Sequence, residues 1–455
     1  MVLFLSLLQA APGAPADPAA DLNRARLYLE RDRFAQALPL LERVVRARPG
    51  VVEPAYLLAV CYSALGRPAQ ARLTLLSLPA QARDREEIQL LLGSAALALG
   101  RHSEAQSHFE RVLQLDPDSV QGAANLGALL VARGSVGRGL ELLERAWKRD
   151  SSSYLAGYNL ALGYVKSGNF EGARRALTTL LARQETGELY SLLGEVEARL
   201  KNPQGAVQYL ARAVELEPSE AHLFDLGYRL LRLWMLNEAG EAFRRGTEQF
   251  RRSARLWMGL GSVYFAQAKT EEAIDAYLQA TEAGPKPRSD DPRPYRLLAS
   301  AYLASKTPRA DVAARFRRYR LAHPRDAWAN FFDGYCILRG GAPELALPLL
   351  RQALALDPRL AEAHFELGKI YALQEKHQEA LAGYEAAVQA NPNYQEVYYR
   401  LGLAYARVGR QAEAETALAR HEELRREQAA NNEARLRETL LAGWGLDDEG
   451  AKSKR

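Results

Sequence analysis

Cysteine is almost missing from this chain: two in 455 residues, Cys61 and Cys336, far apart in sequence. That excludes a disulfide scaffold and a thiolate cluster for zinc. Both fall at core-like positions of helical patterns, where a cysteine acts as a small hydrophobe. Histidine is sparse and scattered, and His102 and His108 are six residues apart, a spacing that does not place two metal ligands on one helix face. No H-E-x-x-H, C-x-x-C or G-x-x-x-x-G-K-[ST] occurs. The glycine-bearing stretch from Gly134 to Gly139 follows no strand and reads as a turn, not a phosphate loop. No catalytic residue, metal ligand or cofactor site is therefore expected, and the chain does not read as an enzyme. Long apolar runs are also lacking. The one candidate, Val2 to Leu8, is too short to span a bilayer as a helix. It is followed by Ala14-Pro15-Ala16, which looks like a small-residue cleavage site, although no Lys or Arg precedes Arg24. Residues 1–16 are accordingly expected to be a signal peptide, with a periplasmic or secreted product; a cytoplasmic chain is the alternative.

What is present is a period. Aligned on a small residue after Leu and on a trailing Pro, units begin at Pro18, Val52, Glu86, Val120, Tyr154, Gly187, Glu220, Ala254, Pro292, Ala327, Ala361 and Gln395. The steps are 33 to 35 residues, apart from one of 38. Position eight is small throughout, as in Ala25, Gly93, Gly227 and Gly402, and position twenty is small in most units, as in Ala37, Ala105 and Ala380. Large residues recur at position eleven, among them Tyr62, Tyr164 and Tyr405, and at position twenty-four, among them Phe109, Phe243 and Tyr384. The i, i+3, i+4 stripe is that of helices. Small residues let two helices cross closely and large ones fill the layer beside them. Gly66, Gly100, Gly134, Gly168 and Gly409 suit left-handed turns between helices. Pro49, Pro117, Pro218, Pro285, Pro358 and Pro392 suit the ends of second helices.

A helix-turn-helix unit of about 34 residues resembles the tetratricopeptide repeat. The resemblance covers most of the chain and implies an all-α, right-handed superhelical solenoid of antiparallel helix pairs, with about twelve repeats. It implies a protein-interaction scaffold or adaptor that takes a protein or peptide partner in a concave groove. The Ala-, Leu- and Arg-rich composition matches a GC-rich bacterial genome.

The long step contains the Pro-rich stretch Gly284 to Pro294 and reads as a kink. The expected organisation is therefore repeats one to eight over 17–285, repeats nine to twelve over 286–428, a charged capping helix over 429–445 and a disordered tail over 446–455.

In this register positions two, five, six, nine and thirteen of each first helix line the groove. Position six carries Asn125, Asn159 and Asp225. In sugar-transferase relatives an asparagine ladder at this place grips a peptide backbone; here Asn125 and Asn159 either do so or are solvated polar residues. Position five carries Tyr158, Phe224, Phe331, Phe365 and Tyr399, which either anchor a partner or pack on the neighbouring helix, the latter expected for the phenylalanines. Lys166, at position thirteen, completes the candidate set. The carboxylate-clamp pattern is absent, since Leu22 and Arg26 stand where the first repeat would need Lys and Asn. Between Arg244 and Arg325 there are 17 Lys or Arg against 8 Asp or Glu. Its densest part holds Arg315, Arg317, Arg318 and Arg320, either a solvated face or a dock for an acidic partner or anionic lipid. Nucleic acid is not the expected partner. Recruitment of substrate for a separate catalytic chain is a further alternative.

Overall fold

The computed structural model describes residues 17–283 and 291–430, together with 436, 437 and 440. The expected signal peptide, the stretch 284–290 and the tail 446–455 lie outside the described residues. Among the described residues there are helices and no strands.

The chain divides into two compact units, residues 1–209 and 210–455, the division falling within one helix. In the first unit the helices run α1 (Pro18–Leu29), α2 (Phe34–Ala47), α3 (Val52–Ala64), α4 (Pro68–Leu76), α5 (Ala80–Arg83), α6 (Glu86–Ala98), α7 (His102–Leu115), α8 (Val120–Ala132), α9 (Val136–Arg149), α10 (Tyr154–Ser167), α11 (Phe170–Leu181) and α12 (Gly187–Arg199). The dividing helix is α13 (Pro203–Leu216). The second unit continues with α14 (Glu220–Arg232), α15 (Leu236–Gln249), α16 (Ala254–Ala266), α17 (Thr270–Glu282), α18 (Arg293–Ala304), α19 (Ala310–Ala322), α20 (Ala327–Arg339), α21 (Pro343–Leu356), α22 (Ala361–Leu373), α23 (His377–Ala390), α24 (Gln395–Arg407) and α25 (Gln411–Ala430). Each first helix begins at the residue the repeat register marks, except that Pro292 serves as N-cap and α18 starts one residue later.

Local chemistry sets these boundaries. Ser119, Ser153, Ser219 and Ser253 cap first helices, each side-chain oxygen accepting from the amide three residues on. Helices α2, α7, α13, α21 and α23 each stop two residues before Pro49, Pro117, Pro218, Pro358 and Pro392. Pro285 lies outside the described residues. The turn within most hairpins passes through the left-handed region, that between α18 and α19 being an exception. Gly66, Gly100, Gly134, Gly168 and Gly409 do so with φ of 69 to 92°. At the same register Asp32, Lys201, Trp234, Ala268 and Glu375 do so with φ of 54 to 63°.

Crossing geometry follows from the small residues. A Cβ added to Gly93 would stand 2.5 Å from the Phe109 ring, and one on Gly261 2.6 Å from Tyr277. Position eight is thus a seat for the side chain of position twenty-four, a ring in these units and a leucine at Gly127 and Gly402. The hairpin of α3 and α4 departs from the pattern: Pro79 stops the second helix early, and the short α5 follows.

Cores join neighbouring hairpins. In the first unit one cluster links Ala25, Leu41 and Cys61, and another links Ala161, Leu177 and Leu193. In the second unit a single cluster runs from Met258 through Tyr277, Leu298, Tyr302 and Phe331 to Ile370. It continues across the Pro-rich stretch, so the helices on either side share one core there. Both cysteines are buried, and burial pushes the thiols up, to about 11 at Cys61 and about 12 at Cys336. Helix α25 carries i, i+3 pairs such as Arg420 with Glu423. Within 429–445, Arg437 donates to the Arg232 carbonyl at the end of α14, and Leu440 is 2% exposed.

Candidate interaction surface

Hydrogen bonds and ion pairs between successive hairpins occupy many of the charged side chains and leave a few unengaged. Tyr62 donates to Glu42, Tyr164 to Glu144 and Tyr405 to Glu385, at 2.7 to 2.9 Å and always twenty residues back. Burial, with the carboxylate acceptor adding to it, pushes these three phenols up to about 12. Ser119 donates to Glu86 at 2.6 Å while capping α8, and Ser253 does the same to Glu220 while capping α16. Arg26 is held by Glu53 and Asn23, so it is engaged between hairpins.

In the first unit, Asn125 and Asn159 are partly exposed, and neither amide has a hydrogen bond to the described residues. Leu155, Asn159 and Leu162 lie at i, i+4 and i+7 on one face of α10, both leucines 38% exposed. Tyr158 stacks on Tyr154 with ring centres 5.7 Å apart, and burial raises its phenol, reinforced by Glu188. Lys166 is a structural cation: its ammonium caps the C-terminal end of α8, donating to the carbonyls of Val131 at 2.5 Å and Ala132 at 3.1 Å.

In the second unit, Asp225 is partly buried on α14. Phe331 and Phe365 are buried, whereas Tyr399 is 45% exposed with its ring 5.5 Å from His421. The four arginines of the basic run separate. Arg315 is buried against Glu282, and Arg320 reaches the buried Asp333, while Arg317 and Arg318 stay exposed. Elsewhere in the same stretch Arg255 is paired with Glu220, and Arg309 with Asp275 and Asp311. Much of the local positive excess is thus neutralised within the fold.

Positions six, nine and thirteen are among those the register assigns to the groove. At the last two hairpins those positions build a different feature. Between α22, α23 and α24 lies a cavity of about 290 Å³. Its floor is apolar and small: Ala372, Ala380 and Ala404, with Tyr384 beneath. Leu373, 77% exposed, and Leu403, 41% exposed, stand at its mouth. Lys369, His377, Arg400 and Arg407 supply the polar lining. The Lys369 ammonium sits 3.0 Å from Glu366 Oε1 and 2.9 Å from Oε2, so that charge is matched. Burial pushes the Glu366 carboxyl up, against the pull of Lys369. Arg400 and Arg407 are exposed, and neither has an ion-pair partner among the described residues.

Family models for the tetratricopeptide repeat match residues 28–95, 90–154, 158–221, 224–286, 368–409 and 395–427, together more than half of the chain. The chain belongs to the tetratricopeptide-repeat family. It is similar to the Protein CTR9 homolog of Arabidopsis thaliana, 26% identical over 315 residues, 59% of this chain and 26% of that protein. It is similar to the BBSome complex member BBS4 homolog of Drosophila melanogaster, 21% identical over 433 residues, 91% of this chain and 73% of that protein. Among solved structures it resembles YrrB, described as a TPR protein with an unusual peptide-binding site, at 27% identity over 43% of this chain and 97% of that one, with a TM-score of 0.35. The tetratricopeptide chain thus spans about a quarter of the length of the first of these relatives. Among its described residues no helix is long and apolar enough to cross a membrane.

Proposed function

We propose that this chain is a non-catalytic adaptor of twelve repeats that binds segments of protein partners on the exposed faces of its first helices. The observation that carries this reading is the unengaged chemistry on those faces: Leu155, Asn159 and Leu162 on α10, and Leu373, Leu403 and Arg400 around the cavity of α22–α24. Exposed apolar groups beside unpaired hydrogen-bonding groups are what a partner segment covers. Elsewhere carboxylates and arginines largely satisfy one another between hairpins, which suits a scaffold. One matched relative is itself named as a member of a complex. The stretch Val2 to Leu8 and Ala14-Pro15-Ala16 supports export to a bacterial periplasm, which sequencing of the mature N-terminus checks.

The adaptor reading is tested by affinity capture from the source cell followed by binding measurements with the recovered partner. The Asn125→Ala/Asn159→Ala variant should stay folded and bind that partner more weakly, by about 0.5–1.5 kcal/mol for each lost hydrogen bond. A chain that recovers no partner, and whose face variants change nothing, would overturn the reading.

A further inference from the structure

We propose that the cavity between α22, α23 and α24 binds an acidic peptide segment of a protein partner, in which two carboxylates flank one apolar side chain. This rests on the adaptor reading and gives it a chemistry. Arg400 and Arg407 are seven residues apart on α24, hence on one face and about 10 Å apart along the axis. Leu403 lies between them on that face, and the alanine floor opens beside it. Lys369 is neutralised by Glu366, so the unmatched charge at the mouth is that of the two guanidiniums.

An unpaired guanidinium beside an apolar cavity suits a carboxylate, which it meets through two parallel N–H donors. The cavity supplies the second half of the recognition. A space of about 290 Å³ floored by Ala372, Ala380 and Ala404 accepts a leucine- or phenylalanine-sized side chain. An inorganic anion would satisfy the arginines and leave that floor uncovered. A flat anionic membrane would meet the charges without entering the cavity. A peptide carrying both features covers both. The small floor residues are what make the site: larger side chains at these positions would close it.

The test uses the full-length chain and a displayed library of random dodecapeptides at low salt, with anionic phospholipid vesicles as a second probe. Selected peptides should be enriched in Asp and Glu around Leu, Ile or Phe. Their affinity should fall about tenfold or more in Arg400→Gln/Arg407→Gln. Ala372→Phe, which fills the cavity and leaves both arginines in place, should cause a comparable loss. Arg400→Glu/Arg407→Glu should turn the selection toward Lys and Arg. Circular dichroism should show the same helicity in each variant. Selection of neutral or basic peptides by the native chain, affinity in the Gln and Phe variants unchanged from that of the native chain, or binding of vesicles without acidic peptides would overturn the proposal. Failure of this site alone is separable from failure of the adaptor reading. A captured partner that ignores the arginine changes but is weakened by Asn125→Ala/Asn159→Ala leaves the adaptor standing and the cavity empty-handed.

Discussion

At the scale of single residues, backbone conformation and close crossing decide most of what is conspicuous. Ala268 sits at φ 58° and Glu375 at φ 59°, at the register where other hairpins use glycine. A side chain in the left-handed region costs about 1–2 kcal/mol, partly offset by the extra freedom glycine has when unfolded. Ala268→Gly should therefore raise stability by about 0.5–1 kcal/mol, read from chemical denaturation. Gly227 gives the opposite case. A Cβ there would stand 2.8 Å from the Phe243 ring, which is also pressed against Gly259 on the next hairpin. Gly227→Leu should cost on the order of 1–3 kcal/mol, while Lys376→Ala, on an exposed turn, should stay within about 0.5 kcal/mol. Equal melting temperatures for those two variants would contradict the packing described. The small residues were legible in the sequence because a close crossing admits little else. The left-handed turns without glycine were not, since Asp, Lys, Trp, Ala and Glu carry no common turn signal.

At the scale of helices, the boundaries were legible where a cap or a proline fixes them, and α5 was not, because Pro79 shortens one second helix within an otherwise regular spacing. The bonds between hairpins were also missed. The sequence pattern shows tyrosine at position eleven only as packing, and its acceptor twenty residues back becomes visible only once neighbouring hairpins are side by side. This has a pH consequence. Tyr62, Tyr164 and Tyr405 have phenols raised from 10.0 to about 12. A raised folded-state value means that the neutral phenol is favoured in the fold. Their contribution is complete below pH 10 and is lost as pH rises toward 12. The triple Tyr→Phe variant should lower stability near neutral pH and flatten the decline between pH 10 and 12, as followed by circular dichroism. An alkaline decline as steep as in the native chain would rule out these phenols as its source.

At the scale of the whole molecule, the repeat period announced the architecture, and the register marked which helix faces stay open. It did not say which charges on those faces stay unpaired. Arg320 and Arg407 look alike in sequence, yet one meets Asp333 and the other meets no carboxylate among the described residues. That difference depends on which neighbouring helix supplies an acid. The bond from Lys166 to the end of α8 was not legible either, since it depends on the length of that side chain and on which helix lies beside it. The central claim is that partners bind on first-helix faces. The most direct measurement replaces single exposed leucines by a photo-crosslinking amino acid in the full-length chain, exposed to source-cell extract. Leu162 and Leu403 report on first helices, and Leu321 and Leu345, 64 and 67% exposed, report on second helices. The account predicts a partner adduct from Leu162 or Leu403 and none from Leu321 or Leu345. Adducts formed only from the second-helix positions would contradict it.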